Sequence, residues 1–333
     1  MKILVVNINW LGDAIFSTPV FKALKDKYPH AQVVCLCPPR VKDVLTYCPY
    51  VDKIIIYDEK KKHFWPWKKL KFILQLRQEK FDSAVLIHRS LTRALLVWLA
   101  GIPVRVGFSK ARFLLTTPVD FPSDHLHRAD GYLKVVEGLG VTPQQAVCQL
   151  RLKNEDIDAV EELLRREHLV EGKYIVFHPS GNWDLKRWPQ ASWVALGNQL
   201  RTQFGLTVVI TGGDGDINLC QSIAKEIQGA KVLAGQTRLG ESLVIFRKSV
   251  AVISGDSGPL HMANSVGAAV IGLFGPTSPA ITGVKGVGPS VMIFHQVGCN
   301  HQPCYHLDCR NNVCMTTINI EDVCRELEQF IHP

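Results

Sequence analysis

Apolar residues along this chain fall into two alternating rhythms. Short apolar runs, Lys2 to Asn7, Gln32 to Leu36, Lys53 to Tyr57, Ser83 to Ile87 and Val104 to Gly107, are separated by stretches with apolar residues at helical spacing. This alternation predicts a parallel sheet with crossover helices. Two of the helical stretches are Ala14 to Tyr28 and Trp67 to Glu79, and Pro19 should kink or restart the first of them. After a polar helical segment, Asn154 to Glu167, the same alternation begins again. Its strand-like runs are Tyr174 to Phe177, Thr207 to Thr211, Lys231 to Leu233, Val250 to Ile253 and Ala269 to Phe274. The pattern predicts a second Rossmann-like domain. The boundary is expected between about residues 150 and 172, which gives an N-terminal domain 1–160 and a C-terminal domain 161–318. The closing helix, Ile320 to Ile331 within 319–333, is expected to pack back on the first domain. Two facing Rossmann-like domains with parallel sheets would form a cleft lined by the C-terminal ends of the strands, where such folds bind ligands.

Composition agrees with two folded domains. The 333 residues exceed what one core usually organises, and 47% hydrophobic against 20% charged residues leaves little room for extended disorder. The first apolar run is short and soon interrupted by Asn7, Asn9 and Asp13, so no secretory signal is expected. The segment Leu91 to Ile102 contains Arg93 and falls short of the roughly 18 apolar residues a membrane span needs. A cytoplasmic protein is the expectation. The net charge of +8 favours an acidic partner such as a nucleotide, a phosphorylated glycolipid or an anionic membrane face. Lys60, Lys61 and Lys62, then Lys68, Lys69 and Lys71, surround Trp65 and Trp67. That run suits either a membrane headgroup layer or an ordinary solvated loop and helix face.

Four segments that follow strands carry the candidate chemistry. Asn7-Ile8-Asn9-Trp10-Leu11-Gly12-Asp13 leads from the first strand into a helix, where Asp13 reads either as a helix cap or as a general base. His178-Pro179-Ser180-Gly181 continues to Lys186-Arg187-Trp188-Pro189. Ser180 and Gly181 offer donors to an anion, and Lys186 offers a point charge to a diphosphate. In Ser254-Gly255-Asp256-Ser257-Gly258-Pro259-Leu260-His261, a glycine and a first-turn proline precede a helix. Backbone N–H groups at Ser257, Gly258 and Leu260 there are expected to meet an anion. Asp256 is placed to accept from a sugar hydroxyl and His261 to reach a phosphate; capping and a buried structural bond are the alternatives. Phe274-Gly275-Pro276-Thr277 sets Thr277 in another turn after a strand. Thr211-Gly212-Gly213-Asp214-Gly215-Asp216 lacks the spacing of a dinucleotide fingerprint and reads as a tight strand-to-helix turn.

These motifs, in this order and over nearly the whole chain, resemble glycosyltransferase family nine, the ADP-heptose:lipopolysaccharide heptosyltransferases, and within it the second-heptose type. The resemblance implies an α/β GT-B fold and an inverting transfer of heptose from ADP-heptose to a Kdo-lipid A type acceptor of the inner core. It implies no cofactor for catalysis, donor binding by the second domain and acceptor binding by the first. By position, Asp13 resembles the catalytic base, Lys186 the donor-phosphate lysine, and Asp256, Gly258 and His261 the donor loop. Ser180, Gly181, Ser257, Pro259, Leu260 and Thr277 complete the expected donor contacts. The implied partners are ADP-heptose, a lipid-linked acidic sugar acceptor and, transiently, the inner face of the cytoplasmic membrane, with no nucleic acid. Asn182-Trp183 departs from the small residue and Ser or Thr that the family often has there, and the acidic residue expected after the glycine-rich turn is open between Asp214 and Asp216, which leaves the ribose and adenine contacts open.

Cys299, Cys304, Cys309 and Cys314 recur at even spacing among His301 and His306. The spacing allows a structural tetrahedral metal, or a loop of reduced, redox-sensitive thiols. Cys35, Cys37, Cys48, Cys148 and Cys220 are expected to be buried thiols. Two other functional readings stay open on sequence: another nucleotide-sugar enzyme, with a different sugar donor or a 2-epimerase activity, and a noncatalytic nucleotide-binding protein.

Overall fold

A computed structural model describes residues 1–331 except 109, 111, 122, 124, 300 and 305–307. The chain forms two units, Met1–Arg151 and Leu152–Pro333. In the first unit β1 (Lys2–Val6), β2 (Gln32–Cys37), β3 (Lys53–Ile56), β4 (Ser83–Leu86), β5 (Val104–Gly107) and β6 (Thr117–Pro118) form one sheet in the order β3-β2-β1-β4-β5-β6. In the second, β7 (Tyr174–His178), β8 (Thr207–Ile210), β9 (Lys231–Val232), β10 (Val252–Gly255), β11 (Val270–Phe274) and β12 (Ser290–Phe294) run β12-β11-β10-β7-β8-β9. Every pairing is parallel. Each sheet is therefore a doubly wound Rossmann sheet whose strand order reverses once: between β1 and β4 in the first, between β7 and β10 in the second.

Burial explains why these segments are strands. All of β4, β7, β10 and β11 is buried, and such strands need apolar side chains on both faces. In the second unit Ile175, Phe177, Trp193, Leu200, Ile210, Ile253 and Ile271 share one core between sheet and helices. In the first, Leu4, Val6, Val34, Leu86, Phe72 and Val97 do the same on one sheet face.

Pro19 does restart the first helix. Helix Leu11–Phe16 ends at Ser17 and helix Thr18–Lys27 begins with Pro19 in its first turn. The N–H that proline lacks would have served the carbonyl of Ile15, which instead accepts from Thr18 Oγ1 at 2.8 Å.

Three sequence expectations change. The unit boundary falls at 151/152, at the early end of the expected 150–172 window and before 160/161, with helix Asn154–Arg166 packed against helix Leu239–Lys248 of the second unit. The closing helix Ile320–Ile331 groups with the second unit, where Val323, Cys324 and Leu327 enter the core beside helix Gln190–Phe204. Each sheet also has a sixth strand that the apolar pattern did not reveal. β6 is two residues long and ends in a proline, which an edge tolerates, and β12 is only partly buried. No helix among the described residues is long and apolar enough to cross a membrane.

Candidate functional site

The loops that follow β1 and β4 meet at the first switch point. Asp13 sits in the first turn of helix Leu11–Phe16, but the residue at its N-cap is Trp10, so the capping role open to Asp13 on sequence is not the one it takes. Its Oδ1 accepts a 2.8 Å hydrogen bond from the Tyr132 hydroxyl, delivered by helix Arg128–Leu133. Burial, and then the Asp13 charge, push the Tyr132 phenol well above its ordinary pKa, so it remains a donor that fixes the carboxylate. Beside it lies a polar cluster that sequence reasoning did not assign. Arg93, buried in helix Leu91–Leu99, donates to the Asn7 carbonyl and, at 2.6 Å, to Asn9 Oδ1. Asn9 Nδ2 lies 3.1 Å from His88 Nε2. Burial, helped by the Arg93 charge, lowers the His88 pKa to about 4, so the ring is neutral at physiological pH. The signal for this cluster was a lone arginine in an otherwise apolar helix, together with a histidine just after a strand.

The second switch point gathers the expected donor residues. β7 ends at His178, whose buried ring lies 3.0 Å from Ser180 Oγ and 3.1 Å from Thr211 Oγ1. The ring thus fixes the Ser180 hydroxyl in place. The Gly181 carbonyl accepts from Arg187 at 2.9 Å, which closes the loop on itself. Arg187 is therefore a brace for the turn. Trp188 is buried and packs edge-on against Trp193, away from any ligand-stacking role.

Lys186 reaches across to β10 and pairs with Asp256, Nζ to Oδ2, at 2.6 Å. Asp256 also accepts from Thr282 Oγ1 at 3.2 Å, and His261 Nε2 lies 3.4 Å from its other oxygen. Burial pushes the Asp256 carboxyl up, but the His261 hydrogen bond and the Lys186 charge outweigh it and hold the group below the usual carboxylate range. Asp256 is thus an ionised anchor for Lys186. Gly255, just before it, has a stated reason: a Cβ there would lie 2.6 Å from the Lys186 carbonyl oxygen.

The cap of helix Gly258–Ser265 is Ser257, whose Oγ accepts from Leu260 N–H in a long 3.5 Å bond and lies 2.8 Å from Ser254 Oγ. The Leu260 N–H expected to meet an anion is therefore engaged, which leaves Ser257 and Gly258 ahead of Pro259 as the first-turn donors with no intrahelical acceptor. His261 is buried against Asp256 rather than extended toward a phosphate. Thr277 is buried, and its Oγ1 has no hydrogen-bond partner among the described residues. Asp216 accepts from the Gly213 N–H at 2.9 Å within its own turn, so the glycine-rich stretch is indeed a tight strand-to-helix connection.

Burial lowers the His178 pKa to about 4 from an ordinary 6.5. Between those values the unfolded chain binds a proton that the native chain refuses, so stability rises with pH across the window and falls on acidification. The loss should approach about 3 kcal/mol by the lower end. Denaturant midpoints followed down through this window should drop, and drop less in His178→Asn.

The metal knot that the spacing of the even cysteines allows finds no support among the described residues. Among the described residues no group of three or more His, Cys, Asp or Glu is arranged to hold a metal ion; His306 lies outside them. Cys299 and Cys309 are exposed, whereas Cys314 is buried, and burial followed by the neighbouring thiols raises its pKa. The segment instead backs the Thr277 turn. Cys304 N–H donates to the Pro276 carbonyl at 2.6 Å, and Gln302 Nε2 donates to that of Gly275 at 2.9 Å. The other expected buried thiols, Cys35, Cys37, Cys48, Cys148 and Cys220, are buried.

Known proteins share both the sequence pattern and the fold. Lipooligosaccharide heptosyltransferase 2 of Haemophilus influenzae is 29% identical over 297 residues, covering 85% of each chain. Lipopolysaccharide heptosyltransferase 2 of Escherichia coli K12 is 25% identical, also with 85% of each covered. Among solved structures, a glycosyltransferase family 9 protein from Veillonella parvula superposes with a TM-score of 0.89 at 22% identity, over 99% of this chain and 97% of that one. The ADP-heptose LPS heptosyltransferase II of E. coli gives 0.80 at 24% identity, over 99% and 98%. At these identities the structural likeness establishes the GT-B fold. The family signature of glycosyltransferase family 9 (heptosyltransferase) matches residues 69–314, which takes in β4 and every donor-side motif, and the chain is a glycosyltransferase of that family.

Proposed function

We propose that this enzyme transfers heptose from ADP-heptose to a phosphorylated, lipid-linked inner-core sugar, with inversion at the anomeric carbon. The observation that carries the reading is the Lys186–Asp256 pair, an ammonium anchored at the switch point of the second sheet beside the first turn of helix Gly258–Ser265. The relatives described above, lipooligosaccharide and lipopolysaccharide heptosyltransferases and an ADP-heptose LPS heptosyltransferase, indicate the donor and the acceptor class.

The two units divide the chemistry. In the second, Lys186 and the N–H groups of Ser257 and Gly258 bind the diphosphate, with Ser180, Gly181 and Thr277 contributing polar contacts and Asp256 and His261 holding Lys186 in place. In the first, Asp13 takes the proton of the acceptor hydroxyl as its oxygen attacks the anomeric carbon. The bond from that carbon to the diphosphate oxygen breaks on the opposite face, and ADP leaves with the electron pair. The charge developing on ADP is met by Lys186 and the backbone dipoles already in position, which is where preorganised electrostatics lower a barrier. The acceptor's phosphates suit the chain's net charge of +8, and a lipid-linked acceptor places the reaction at the inner face of the cytoplasmic membrane.

Incubation with ADP-heptose and defined Kdo-lipid acceptors tests this. The expected result is ADP release matched by a heptose mass gain on the acceptor, with inverted configuration. Transfer of a different sugar, or epimerisation without transfer, would move the protein to another nucleotide-sugar activity. ADP binding with no turnover would make it a binding protein.

A further inference from the structure

The first unit carries two helices with more apolar surface than its core can use. Helix Pro66–Gln78 buries Phe72 and Leu76, and helix Leu91–Leu99 buries Ala94 and Val97, in the same core, and the two helices touch. Each also carries a second apolar stripe exposed to solvent. Trp67, Leu70 and Leu74 recur at helical spacing on the first, and Leu95 and Trp98 on the second, all between 40 and 62% exposed. Trp65 stacks on Trp67 with ring centroids 5.0 Å apart and extends the patch at the helix start. Apolar surface of this extent on neighbouring helices marks a site of association.

The charges carried by the two helices themselves are all of one sign. From 60 to 78 the chain carries Lys60, Lys61, Lys62, Lys68, Lys69, Lys71 and Arg77 and no acidic residue, and from 91 to 99 it has none either. A second copy of this face would bring lysine against lysine. We propose that these two helices seat the enzyme on an anionic bilayer, with the indoles and leucines in the headgroup layer and the lysines on lipid phosphates. This rests on the reading that the acceptor is lipid-linked, and it names the surface that would bring the enzyme to it.

The test is flotation of the full chain with vesicles of phosphatidylcholine alone and of phosphatidylcholine mixed with phosphatidylglycerol. The protein should float only with the anionic vesicles and be released by high salt. Replacing Trp67, Leu70 and Trp98 with Gln should lower partitioning at least about tenfold. K68Q/K69Q/K71Q should lower it on the order of a hundredfold. Both variants should keep wild-type turnover on a water-soluble, delipidated acceptor. That arm separates loss of docking from failure of the transferase reading. Absence of flotation, flotation unaffected by either variant, or a lipid-free dimer that the glutamine variants dissociate would each overturn the proposal, the last by assigning the patch to a second copy. Capture of the wild type by an acidic protein surface in place of the vesicles would do the same.

Discussion

Asp13→Asn should fold, bind ADP-heptose as the wild type does, and lose about 10²–10⁴-fold in turnover. The substitution isolates the base. Because the N-cap is Trp10, the change removes no cap, and an amide oxygen can still accept from the Tyr132 hydroxyl. What disappears is the ability to take a proton. Single-turnover rates with saturating donor and acceptor are the measurement to make, since they exclude product release. Turnover within a fewfold of wild type would leave Asp13 as a positioning group and require a different base. Tyr132→Phe offers a companion readout. It leaves the carboxylate but removes its anchor, so its loss should be smaller than that of Asp13→Asn.

Lys186→Met is expected to lower kcat/KM for ADP-heptose by roughly 10–150-fold, the value of one charge-assisted phosphate contact of about 1.5–3 kcal/mol. A competing explanation has to be removed. Lys186 neutralises a buried carboxylate, and its loss leaves Asp256 with only His261 and Thr282. A charge left buried without its partner is destabilising on its own account. The double variant Lys186→Met/Asp256→Asn settles which effect dominates. Were Lys186 needed only to quiet Asp256, the amide would restore activity. The expected result is that stability recovers while kcat/KM stays low, because the diphosphate still lacks its ammonium.

The parts of this protein that sequence revealed are those in which chemistry is local. The core strands were legible because a buried parallel strand is a continuous apolar run, and Lys186 and Asp256 because each follows such a run in a turn of small residues. Their pairing was not legible, since 70 residues separate them and only the adjacency of β7 and β10 brings them together. The same holds for Tyr132 on Asp13, 119 residues apart, and for Arg93 on Asn9, 84 apart. Arg93 was read as an interruption of an apolar stretch, when the fold uses it to hold the loop after β1. The cysteines stayed ambiguous for the opposite reason. Even spacing is a one-dimensional regularity, and the backbone there is committed to supporting the turn at Pro276.

Gly255 leaves the Lys186 carbonyl resting almost directly on the main chain of β10. A loop seated on a side chain inherits that side chain's rotations; this one inherits only the stiffness of a sheet. The ammonium therefore reaches Asp256 on its own four carbons from a nearly stationary pivot. The accuracy with which it can meet a diphosphate comes from a place where one carbon atom is missing, and any residue other than glycine would turn that fixed pivot into a sprung one.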